Sequence, residues 1–309
     1  VWAVVLQLFQ VWEYQMGQVL FIVWRESVEA LLVVGILYTW LKNGGQAARS
    51  GLPYLWSGVA SGILLALVLG AALVGFSEIL SGNAQTYFQI AMVLVAAVLI
   101  VQMVFWMRKH GRTLKSDLET SLETNVSTGS WWGVFFLTTL AIAREGSETA
   151  VFLYGIGLSQ QNESSGMLTL AAALGLALAF LTFYILQLGG KVFSWRRFFQ
   201  VTEIILLFLA AGLLLTGVEK LLDVLIENVD WLTNAEWTST LTAPVWNSAW
   251  LLDDSSTAGG LVAMLTGYRA QPALMSVIIY LGYWSAIWAT LRRPRVKPRA
   301  PLQTSQVRT

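Results

Sequence analysis

Two short stretches of the chain hold residues that an apolar neighbourhood should not contain. Arg25-Glu26-Ser27-Val28-Glu29 and Arg144-Glu145-Gly146-Ser147-Glu148 share the pattern Arg-Glu-x-x-Glu, each inside a long apolar run. On a helix, residues three and four apart are neighbours, so Arg25 shares a face with Glu29, and Glu26 does too; Arg144, Glu145 and Glu148 repeat the arrangement. Each such group at the centre of a membrane helix costs roughly 2.5–3.5 kcal/mol to insert. Six of them cost on the order of 15–20 kcal/mol if they faced lipid alone. They must point inward, pair, or line a wet cavity. Salt bridges fixing helix packing would leave two carboxylates over, and buried bridges are weak stabilisers beside apolar packing. Four Glu against two Arg leave a formal charge of −2, which suits a multivalent cation or a proton pathway. Hard oxygen ligands favour Fe3+, Mg2+, Ca2+ or Mn2+ over Zn2+ and Cu+. The chemistry alone does not choose among the hard ions.

The elements that carry these motifs follow from composition. Of 309 residues, 56% are hydrophobic and 12% charged, against roughly 25% charged in an ordinary soluble domain. The 15 Trp and 26 Gly fit interfacial belts and close helix packing. Cys is absent and His110 is the single histidine. That excludes disulfides, thiolate metal sites, iron–sulfur clusters and multi-histidine centres. The chain reads as an all-α, polytopic membrane protein with about seven spans, near residues 18–41, 54–77, 86–107, 132–157, 167–190, 198–219 and 273–291, each near the 20 residues a bilayer requires. Residues 1–17 read as an interfacial segment lying on the membrane. Lys and Arg concentrate in the loop 108–131, in the first and fifth connections and in the basic tail 292–309. These mark the cytoplasmic side, so the N-terminus is expected outside and the C-terminus inside, in a plasma membrane that is the bacterial inner membrane. The tail reads as disordered and drawn to lipid.

Residues 18–107 and 132–219 form a repeat. The motifs occupy the first span of each unit, and Phe88-Gln89-Ile90 and Phe199-Gln200-Val201 open the third. A three-span unit reverses direction when repeated, so the architecture is a 3+3 inverted repeat plus one extra helix. Transporters built this way bind substrate near the midplane between the halves. Glu203, inside the sixth span, is a candidate extra ligand or proton carrier, and Gln89 and Gln200 are candidate amide-oxygen donors. Asp223, Glu227 and Asp230 recur on one helical face in the acidic loop 220–272; with Asp253 and Asp254 they are a possible metal entrance. Gly58-Val59-Ala60-Ser61-Gly62 is a small-residue packing motif.

The two Arg-Glu-x-x-Glu motifs resemble the signature of the oxidase-dependent iron transporter family, the fungal Ftr and bacterial EfeU permeases. Trp106-Met107-Arg108-Lys109 with Leu114-Lys115, Ala210-Ala211-Gly212-Leu213-Leu214 through Glu219, Asp253-Asp254-Ser255-Ser256, Gly259-Gly260-Leu261 and Gly267-Tyr268-Arg269-Ala270 are similar to further family segments. The similarity runs from about residue 18 to 291. Ser27 departs from it, standing where the family usually has Gly. The resemblance implies an iron permease taking up Fe3+ oxidised outside the membrane, with Glu26, Glu29, Glu145 and Glu148 as metal-binding carboxylates. Arg25 and Arg144 match the motif arginines; their physical role would be to orient the carboxylates and keep them ionised. Iron is then the transported substrate, with no permanently bound cofactor. The lone His cannot build a copper site, so a separate ferroxidase or periplasmic iron-delivery protein is the expected partner, with no nucleic acid. Competing readings are a carrier of Mn2+ or Pb2+ on the same scaffold, an intramembrane hydrolase using a carboxylate pair, and a scaffold subunit that binds no metal.

Overall fold

The computed structural model describes residues 2–110, 131–157, 165–188, 195–228, 236–254 and 256–292. They form α1 (Trp2–Asn43), α2 (Gly45–Arg49), α3 (Leu52–Ile79), α4 (Asn83–His110), α5 (Trp132–Gly157), α6 (Ser165–Leu188), α7 (Trp195–Asn228), α8 (Glu236–Thr242), α9 (Thr257–Thr266) and α10 (Leu274–Arg292). Among the described residues the one β feature is an isolated bridge between Pro244 and Ala273. In hydrocarbon, backbone groups must be satisfied within their own segment, and helices achieve this. The helices α3, α4, α6, α7 and α10 are long and apolar enough to cross a membrane. α1 and α5 are as long, but three ionisable residues within five positions lower their apolar character. The membrane class is therefore secure, while length and apolarity alone mark five spans where seven are expected.

Two boundaries differ from the sequence reading. α1 is unbroken from Trp2 to Asn43, because no Pro or turn cluster interrupts residues 2–16; the segment 1–17 is no separate element. Gly45, with φ of 87° in the left-handed region, stands at the turn that follows. α7 continues to Asn228, since Lys220–Asn228 contains no helix breaker, so the loop expected from residue 220 begins later. The tail 293–309, Asp230 and most of the loop 108–131 lie outside the described residues.

Packing exchanges partners between the two three-helix units. α3 packs chiefly on α5, α6 on α1, and α4 on α7, while α1 meets α5. Interchanging the units maps this set of pairs onto itself, as an inverted repeat demands. Glycine sets the closest approaches. A Cβ at Gly62 would lie 2.7 Å from Ile142 Cβ and 2.9 Å from the Thr139 carbonyl oxygen, and one at Gly58 2.8 Å from that of Phe135. On the other side, a Cβ at Gly175 of α6 would lie 2.7 Å from the Leu20 carbonyl oxygen of α1. The GxxxG segment is thus the seam between α3 and α5. A central core joins α1, α4, α5 and α7 through Val19, Ile22, Ala96, Ile100, Phe152 and Leu206, all buried. Leu64, Leu67 and Val68 of α3 and Phe180 and Leu181 of α6 point outward, as lipid-facing positions should.

The same packing separates two ends. Lys42, Arg49, Arg108 and Arg197 lie at the basic end, where α1 and α4 finish and α5 and α7 begin; Glu78, Asp223 and Glu227 lie at the opposite, acidic end.

Candidate metal site

Both motifs fall in the middle of the bundle where α1 meets α5. Arg25, Glu26, Glu29 and Glu145 are 2%, 1%, 6% and 8% exposed, a degree of burial that charged groups reach only in partnership. Arg25 is locked. Its Nη1 donates to Glu26 Oε1 at 2.8 Å and also meets the Met103 thioether of α4, and its Nη2 pairs with Glu29. Arg144 is held differently. Its Nε donates to Glu148 Oε1 at 3.0 Å, and its guanidinium stacks 4.0 Å from the centroid of the Trp106 ring. About a third of the Arg144 side chain is exposed.

Glu26, Glu29 and Glu145 each present a carboxylate oxygen, and the three oxygens lie within 4.8 Å of one another. Two motifs more than a hundred residues apart in sequence thus bring three buried carboxylates to one point. Glu148 lies within electrostatic reach of Glu26 and Glu29 but is held by Arg144. Glu26 Oε2, Glu145 Oε2 and Glu148 Oε2 are buried without a hydrogen-bond donor. Orphaned acceptors of this kind are expensive. A bound cation would relieve that cost. Ser147 of the second motif and Thr149 just after it serve the helix: Ser147 Oγ donates to the Arg144 carbonyl and Thr149 Oγ1 to that of Glu145. Gly146 faces Ala66 of α3 at a contact too close for a Cβ, whereas Ser27 is half-buried.

A cavity of about 110 Å³ reaches the cluster, lined by Glu29, Glu145 and Arg144 and further along by Ala141, Leu137, Trp106 and Phe199. Leu137 is two turns nearer the basic end than Glu145, about 12 Å along α5, so the opening runs toward that end.

The other candidates fall elsewhere. Glu203 pairs with Arg108 of α4, outside the cluster. Gln89 is half-buried and Gln200 exposed, and neither joins the carboxylates. Asp223 and Glu227 are exposed one turn apart on the last turns of α7. Asp254 Oδ2 accepts from the Ala270 amide at 3.2 Å, bracing the loop before α10, and Asp253 lies beside it in that loop. Trp106 lies in one of the family-like segments yet is given no role there, and Met103 escapes motif reading altogether, because a thioether and an indole carry no charge signal. So does the bridge in which Arg269 Nη2 donates to Glu219 Oε2 at 3.3 Å while Ser276 Oγ donates to Glu219 Oε1 at 2.7 Å.

A helical membrane bundle from exchanged three-helix units, closing on desolvated carboxylates at their junction, fits a membrane transporter. The chain belongs to the Iron permease FTR1 family, which it matches over residues 16–292. It is 28% identical over 261 residues to the ferrous iron permease EfeU of Escherichia coli O157:H7, covering 84% of this chain and 89% of the relative. With the protein of the same name from Yersinia pestis the identity is 31% over 194 residues, 62% of this chain and 67% of the relative. No solved structure matches the chain. It is a multi-pass membrane permease for iron, not an enzyme.

Proposed function

We propose that the chain carries iron into the cytoplasm as Fe3+, formed by oxidation outside the membrane, with Glu26, Glu29, Glu145 and Glu148 as the ligands at mid-membrane. The observation that carries this reading is the convergence of three buried carboxylate oxygens within 4.8 Å, a hard, anionic donor set that favours a small, highly charged cation. The basic end faces the cytoplasm by the distribution of Lys and Arg, in the bacterial inner membrane, with the N-terminus outside. Asp223, Glu227 and the acids near residue 254 then raise the cation concentration at the outer face. Iron meets the cluster, and rocking of the two units exposes it to the cavity on the inner side. Arg25 and Arg144 keep the carboxylates oriented. A separate ferroxidase or iron-delivery protein supplies the oxidised ion, and no cofactor is permanently bound.

A second reading, entry as Fe2+, is favoured by the name of the relatives, ferrous iron permease. Uptake of radiolabelled iron into proteoliposomes separates the two. Supply as a ferric chelate is expected to drive uptake, with excess Mn2+ competing weakly. Uptake only under ascorbate would establish the ferrous reading. Indifference to iron with a strong response to Mn2+ would overturn both.

A further inference from the structure

The two motif arginines are held in unlike ways. Arg25 is enclosed by Glu26, Glu29 and Met103. Arg144 lies on the wall of the cavity that also reaches Glu29 and Glu145, held there by Glu148 at 3.0 Å and the face of Trp106 at 4.0 Å. A guanidinium so placed is a cation tethered beside a cation site. It interacts electrostatically with Glu29 and Glu145 as well as with Glu148. Swung across the cavity, it would occupy the carboxylates that metal needs, much as Arg25 already occupies Glu29. Something must keep it aside, and the indole face, electron-rich and fixed on a neighbouring helix, is suited to that task. The basic end of α4, where Trp106 sits, is tied to α7 by Arg108 and Glu203, and Phe199 of α7 lines the same cavity.

We propose that Trp106 is a positioning residue for iron binding: its ring holds the Arg144 guanidinium against the cavity wall, preventing a tethered arginine from competing with the ion for Glu29 and Glu145. The proposal rests on the carboxylate cluster being the iron site.

The test compares Trp106→Leu, which keeps an apolar side chain and removes the π face, with Trp106→Phe, which keeps the face. Iron uptake by proteoliposomes and equilibrium binding of Mn2+ and of Fe2+ under ascorbate to the purified chain are measured for both. Loss of a cation–π contact at this site should raise the apparent KM and the metal Kd about 3- to 30-fold in Trp106→Leu. The maximal rate per folded molecule should stay within about twofold, and Trp106→Phe within about threefold of the parent on every measure. Trp106→Met carries the same expectation as Trp106→Leu should the latter fail to accumulate. Equal affinities in the Leu (or Met) and Phe variants, or a loss confined to the maximal rate, overturn the proposal. A parent chain that binds metal without transporting it overturns the permease reading alone, since the binding ratio still tests Trp106. A parent that binds no metal overturns both.

Discussion

Glu148 differs from the other motif carboxylates in its partner. One of its oxygens accepts from Arg144 and the other is buried without a donor, so it stands beside the cluster of Glu26, Glu29 and Glu145. A small turn of its side chain would complete a four-carboxylate shell, provided Arg144 stays on Trp106. Glu29 contributes to the cluster and lines the cavity, which places it on the path proposed above for the ion. Glu29→Gln and Glu148→Gln keep the shape of each side chain and remove its charge. Each is expected to cut iron uptake by about a hundredfold or more, a loss at least as large as that from disturbing an outer-shell partner of a metal, while protein levels persist. Uptake counts normalised to purified protein check this, and retained uptake in both variants would remove these residues from the site. The pattern Arg-Glu-x-x-Glu was enough to nominate these residues, because charge inside an apolar run is costly and must face inward, pair or line a wet cavity. Nothing in it distinguished Arg25 from Arg144, since burial and aromatic stacking depend on which helix lies opposite.

The elements that bring the motifs together are joined at small residues. α3 and α5 meet where Gly58 and Gly62 leave no room for a side chain, and Thr139 Oγ1 donates to the Gly58 carbonyl at 3.3 Å across the seam. α6 and α1 meet at Gly175, supported by Trp24 Nε1 donating to Thr182 Oγ1 at 2.9 Å. Between membrane helices such close packing supplies association where lipid gives no hydrophobic drive. Gly62→Val is therefore expected to destabilise the bundle by about 1–3 kcal/mol, as overpacking does, and to lower the thermal midpoint in detergent. Gly75→Val, at a position with open space around it, serves as the control and should leave the midpoint within about 2 °C, as surface substitutions away from packing features change stability little. An equal loss in both variants would show that the seam does not govern stability. The spacing of the glycines disclosed a packing face in advance. Their partner α5, some eighty residues further along the chain, was not readable, because small-residue spacing says that a helix is approached and not by what.

At the scale of the whole molecule, the basic and acidic ends are the basis of the orientation proposed above. The chain has no cysteine, so single cysteines report cleanly on sidedness. Gln46→Cys at the basic end and Ser81→Cys at the acidic end are both at exposed positions. In intact cells a membrane-impermeant thiol reagent is expected to label Ser81→Cys within minutes and Gln46→Cys only after permeabilisation; the reverse result would invert the proposed orientation. What the amino-acid order determined by itself is the membrane class, the two charged helices, the duplicated unit and the asymmetry of basic residues. Insertion cost and charge bias add up residue by residue along one segment, and they require no knowledge of neighbours. The tertiary structure decided which three carboxylates converge. It also decided that Glu203 is drawn to Arg108, that Arg25 is enclosed while Arg144 rests on Trp106, and that the opening runs toward the basic end. Those outcomes depend on how each helix is rotated about its axis and which distant helix packs on it, and that is settled only when glycine seams and buried charges from both halves are satisfied at once.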